Sequence, residues 1–83
     1  MDKVLIEVVV PVSNKSYDVF ITPTSKLRDI TALLSNALTD MSNGKFHADE
    51  STILCDAKTG NIFNINLSVY ELDIKNGSKL MMI

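Results

Sequence analysis

An 83-residue chain that is 46% apolar and 22% charged, with a formal net charge of −2, can build one compact core and is too apolar to be a disordered polymer. Its seven lysines are scattered, which excludes the basic face of a phosphate-binding domain, and no run approaches the ~20 apolar residues of a membrane span. One cysteine excludes an internal disulfide, and Met1-Asp2-Lys3-Val4 runs into a strand pattern with no small-residue cleavage site behind it.

The reading is one cytoplasmic domain over residues 1–83, not inserted in a membrane and not bound to nucleic acid. A chain this short buries only roughly 60–65% of its unfolded surface, so the core has to be economical.

Val4-Leu5-Ile6-Glu7-Val8-Val9-Val10 is β-branched and long enough for a strand. Pro11 ends its pairing, and Ser13-Asn14-Lys15-Ser16 has turn chemistry. Tyr17 to Thr22 resumes strand character, so the two strands form an antiparallel hairpin. Pro23 closes the second strand. Thr24 and Ser25 are N-cap candidates for a helix whose first turn holds Asp29. Leu27, Ile30, Leu34, Ala37, Leu38 and Met41 recur at helical spacing, and Asn43-Gly44 is a stop.

The stretch from Ser42 to Ser51 is polar and reads as a loop. Thr52-Ile53-Leu54-Cys55 is a short strand, Asp56 to Asn61 a turn, and Asn61 to Ile65 a brief extended piece. Leu67 to Leu72 suits one helical turn. Asn76-Gly77 is a tight turn before a final strand, Lys79-Leu80-Met81-Met82-Ile83. With helical cover from one main helix, one sheet face is packed and the other open.

That order resembles the ubiquitin-like β-grasp: an α+β fold with a mixed four- to five-stranded sheet and one main helix packed on one face. The most specific local piece runs from Leu67 to Leu80. There a leucine opens a short helical turn, Ile74 follows, and a polar turn leads into the last strand. Leu67, Leu72 and Ile74 plug the open end of the core, and Gly77 permits the backbone reversal.

Within the fold the chain is similar to the small YukD-like (EsaB-type) proteins of Gram-positive type VII (Esx) secretion systems. The features are its size, its start at the first strand, the Asp73-Ile74-Lys75-Asn76-Gly77-Ser78-Lys79-Leu80 close, and the lack of a tail. The resemblance implies a cytosolic accessory or regulatory component of a secretion machine, with a cytosolic domain of that machine as its protein partner.

Ubiquitin-type modifiers and sulfur carriers present a flexible tail ending in Gly-Gly, because the carboxylate must reach into an activating enzyme. This sequence ends Met81-Met82-Ile83, so conjugation and sulfur transfer are the disfavoured alternative, beside a ubiquitin-fold adaptor unrelated to secretion. No enzyme is expected. His47 and Cys55 are single residues of their types, too few for a metal set, and Cys55 reads as a small packed residue rather than a nucleophile paired with His47. Asp49, Glu50 and Asp56 lack EF-hand spacing and read as solvated loop charge rather than a weak cation site. Phe46 reads as tucked against the helix end rather than as a partner anchor. No glycine-rich phosphate loop is present, and no cofactor is expected.

Strand parity follows from the polar residues. With Glu7, Asp18 and Lys79 facing water, Val4, Ile6, Val8, Val10, Tyr17, Val19, Ile21, Leu80 and Met82 point at the helix. By the resemblance, Ile53 and Cys55 point in and Leu54 out, and the sheet order is second, first, last, third. Leu5, Val9, Phe20, Leu54, Met81 and Ile83 then form an apolar patch on the open face, predicted to bind a protein partner or, in self-association, a second copy.

Overall fold

The computed structural model describes residues 2–41 and 53–83, and for Met41 the backbone alone. The expectations for the Ser42–Ser51 loop, the Asn43-Gly44 stop, Phe46, His47, Asp49, Glu50 and Thr52 lie outside the described residues.

Strand β1 (Val4–Val10) and strand β2 (Lys15–Ile21) form the hairpin, joined by a 3-10 turn at Pro11–Ser13. Asn14 closes that turn in the left-handed region at φ 54, a conformation that asparagine tolerates. Helix α1 (Leu27–Met41) follows, then β3 (Leu54–Asp56) and β4 (Lys79–Met82). The sheet order is β2-β1-β4-β3, as expected, with β1 and β4 parallel and the other pairs antiparallel.

The polar residues mark the faces of β1, β2 and β4 correctly. Ile6, Val8, Val10, Ile21, Leu80 and Met82 are buried against Leu27, Ile30, Leu34 and Leu38 of the helix, with Val4, Tyr17 and Val19 partly buried at the margin. Ala37, expected in the apolar stripe, is exposed.

The helix start differs from expectation. Neither Thr24 nor Ser25 caps it. The N–H groups of Leu27 and Arg28 donate to the carbonyls of Leu67 and Ile65 at 2.9 and 3.0 Å, while those of Val69 and Tyr70 donate back to Ser25 and Pro23 at 3.0 and 2.9 Å. A returning segment thus satisfies donors that a side chain would otherwise serve.

That segment holds one turn of helical character, with the Leu72 N–H 3.1 Å from the Ser68 carbonyl. Val69 is its buried plug together with Ile74, and Leu72 packs beside them. Leu67 is only half-buried and contributes mainly its carbonyl. Gly77 makes the expected reversal at φ +87 and donates to the Leu5 carbonyl.

Ser68 and Glu71 form a reciprocal box: the Ser68 N–H donates to Glu71 Oε1 at 2.9 Å, and the Glu71 N–H to Ser68 Oγ at 3.1 Å. The Ser68 N–H first, then its hydroxyl, and more weakly the Lys26 charge, hold the Glu71 carboxyl below its ordinary 4.5. A depressed folded pKa stabilises above the unfolded value, and the contribution is lost as pH falls through the folded one. Melting curves should therefore show wild type above Glu71→Gln at neutral pH, with the gap closing as acid titrates Glu71. A gap independent of pH would show that the ionised carboxylate is not what matters.

Candidate protein-binding face

The face of the sheet turned away from α1 is built in rows that cross the strands. In β1 it presents Leu5, Glu7 and Val9, and register assigns each a neighbour. Leu5 lies beside Phe20; Glu7 lies between Asp18 and Lys79; Val9 lies between Ser16 and Met81. Met81 in turn pairs with Cys55, and Ile83 exchanges main-chain hydrogen bonds with Ile53 at 3.0 and 2.8 Å.

Leu54 does not belong to this face. It pairs with Met82, whose side chain lies under the helix, and is 1% exposed. The expected parity of β3 is off by one residue, which exchanges every side chain between the two faces. Ile53, half-buried, replaces Leu54 on the open side.

The other five predicted residues do face outward, but not as one patch. Asp18, Glu7 and Lys79 form a charged row across three strands. It separates Phe20 and Leu5 from Val9, Met81, Ile83 and Ile53. Phe20 is 67% exposed and Ile83 53%, while Val9 and Met81 are half-buried by their neighbours. Val12, exposed on the turn after β1, stands at the same end of the sheet as Ile83, because β1 and β4 run parallel. Its position right after Pro11 in a hairpin turn was the available sequence signal.

Cys55 is buried, with its Sγ 3.6 Å from the Met81 carbonyl. Burial first, and then the Asp56 carboxylate, push its thiol pKa up. Such a thiol is protonated at neutral pH and is no nucleophile. Asp56 itself shapes the following turn: its Oδ1 accepts the N–H groups of Lys58 and Thr59 at 2.7 and 3.3 Å, and Gly60 follows at φ +77. Among the described residues no group of three His, Cys, Asp or Glu side chains could hold a metal. No helix among them is long and apolar enough to cross a membrane.

This arrangement, a β2-β1-β4-β3 mixed sheet with one helix across it, is the ubiquitin-like β-grasp. No family model and no curated protein matches the chain. Solved structures match its fold. The EccD5 ubiquitin-like domain from Mycobacterium xenopi is 13% identical, with TM-score 0.82 over 100% of this chain and 94% of that one. A chain of the MycP5-free ESX-5 inner membrane complex is 16% identical, with TM-score 0.81 over 100% of this chain and 21% of that one. Caldiarchaeum subterraneum ubiquitin is 15% identical, with TM-score 0.70 over 98% and 91%.

Proposed function

We propose that this chain is a non-conjugated, non-enzymatic ubiquitin-like accessory or regulatory component of a Gram-positive type VII secretion system of the YukD-like (EsaB-type) kind. It acts in the cytoplasm by binding a cytosolic domain of the machinery through its open sheet face. The observation that carries the reading is the cluster of Val9, Met81, Ile83 and Ile53, an apolar surface on a sheet face that solvent would otherwise favour as polar. The likeness to a ubiquitin-like domain of EccD5 and to a chain of the ESX-5 inner membrane complex supports the secretion assignment.

Phe20 and Leu5 are a separate apolar pair on the far side of the charged row, and the main contact is assigned to the Met81 cluster. Affinity capture from the native host, read by mass spectrometry, tests this. A component of the secretion apparatus should be retained by the wild type and lost at least about tenfold with Met81→Arg, which leaves the core untouched. Retention of no such component, or equal retention by Met81→Arg, overturns the reading. Sedimentation of both proteins checks the second-copy alternative: concentration-dependent dimers that Met81→Arg dissolves would assign the cluster to self-association instead.

A further inference from the structure

Strand β2 is an edge of the sheet, and the direction of its unused backbone follows from β1. The N–H groups of Leu5 and Glu7 donate toward the β4 side, to Asn76 Oδ1 at 2.7 Å and to the Ser78 carbonyl at 3.0 Å. By alternation Val4, Ile6, Val8 and Val10 serve β2, through Ile21, Val19, Tyr17 and Lys15. The N–H and C=O groups of Ser16, Asp18 and Phe20 therefore point away from β1, with no described strand beside them.

Next to this edge, between β2 and α1, runs a groove of about 340 Å³. Ile30 and Leu34 form its floor; Val19 and Phe20 line one side, and Leu33 and Ala37 the other. Leu33, on a helix position where a polar residue would cost nothing, is 66% exposed. Free backbone donors and acceptors beside an apolar groove are what an extended segment needs: main-chain pairing on one side and pockets for alternate side chains on the other.

Charge selects the occupant. Asp18 stands at the centre of β2 with Glu7 directly beside it and Lys79 on the far side of Glu7, so the two carboxylates share one cation, which lies on the side away from the open edge. Like charges in register repel, and a cation added on the free side of Asp18 relieves them. A second copy is disfavoured by the same row. β2 runs Lys15–Ile21, so a two-fold antiparallel pairing along its whole length sets Asp18 against Asp18, with a Glu7 behind each. Lys3 at one end of the groove and Lys15 at the other end of the strand leave the cation preference to the centre.

We propose that the β2 edge and the α1 groove form a second protein-binding site, which takes an extended partner segment as an added edge strand, with aliphatic residues facing the groove and a lysine or arginine opposite Asp18. This site does not rest on the role assigned to the Met81 cluster.

The test is a titration of the whole isotope-labelled chain with a blocked palindromic peptide carrying lysine at its centre, isoleucine on both sides and threonine beyond. The palindrome makes strand direction immaterial. Saturable shifts and slowed exchange are expected at the amides of Ser16, Asp18 and Phe20, and shifts on the Leu33 face of α1. A glutamate-centred peptide should bind at least about fivefold more weakly at low salt, and Asp18→Lys should invert that order. Leu33→Lys, at an exposed position that keeps the fold, should weaken binding at least about tenfold, while Met81→Arg should leave it unchanged. Absence of saturable binding, equal affinity for the two peptides, or shifts centred on Val9, Met81 and Ile83 overturns the proposal. So does protection of the Ser16, Asp18 and Phe20 amides by self-association without peptide. Loss of host-partner capture by Met81→Arg is a separate result, so either assignment can fail while the other stands.

Discussion

Leu54→Arg is expected to leave the chain without a cooperative unfolding transition at 25 °C, whereas Met81→Arg on the neighbouring strand shifts stability by less than about 1 kcal/mol. Both residues are apolar, both lie in adjacent strands, and composition does not distinguish them. Leu54 pairs with Met82 beneath the helix and is wholly enclosed; Met81 lies on the opposite face beside Val9. A stability of about 4–12 kcal/mol is the ordinary range for 83 residues. The milder Leu54→Ala should already remove about 2–5 kcal/mol of it through lost burial and a cavity. An arginine there has no buried partner and adds the cost of desolvating its charge. Chemical denaturation of the alanine and Met81→Arg variants, with circular dichroism of Leu54→Arg, measures all three. A normally folded Leu54→Arg would mean that β3 pairs one residue out of the described register.

Leu27→Ala should cost about 2–5 kcal/mol, and its effect should reach beyond the helix. Leu27 is fully buried at the first turn of α1, and its N–H holds the Leu67 carbonyl. The same returning segment donates from Val69 to Ser25 and from Tyr70 to Pro23, so packing and hydrogen bonding at this end form one unit. Amide exchange should report that coupling: Leu27, Arg28, Val69 and Tyr70 lose protection together, while the β1–β2 hairpin keeps more of its own. Equal loss across the hairpin would show that the end does not open as a separate unit.

The faces of β1, β2 and β4 could be read locally because each strand carries a charged residue among apolar ones. Glu7, Asp18 and Lys79 mark the wet side, and a period of two does the rest. The Asn76-Gly77 reversal and the Leu27–Leu38 stripe are equally local properties. They sufficed for the β-grasp, and through it for the strand order. The open face was likewise legible as a place, with five of its six predicted residues pointing outward.

β3 had no such marker. Ile53, Leu54 and Cys55 are all apolar, so either parity buries something, and only pairing with β4 chooses between them. Capping of α1 was similarly out of reach, since the carbonyls of Ile65 and Leu67 come from far along the chain. The division of the predicted patch has the same origin. Glu7, Asp18 and Lys79 were each visible as outward charges, but their standing in one row is a statement about register between strands. Periodicity is a property of a single segment, so the sequence by itself determined which residues of a marked strand face water. Register is a relation between segments, decided by turn geometry and by what the helix covers, and so only the tertiary structure separated the Met81 cluster from the β2 edge.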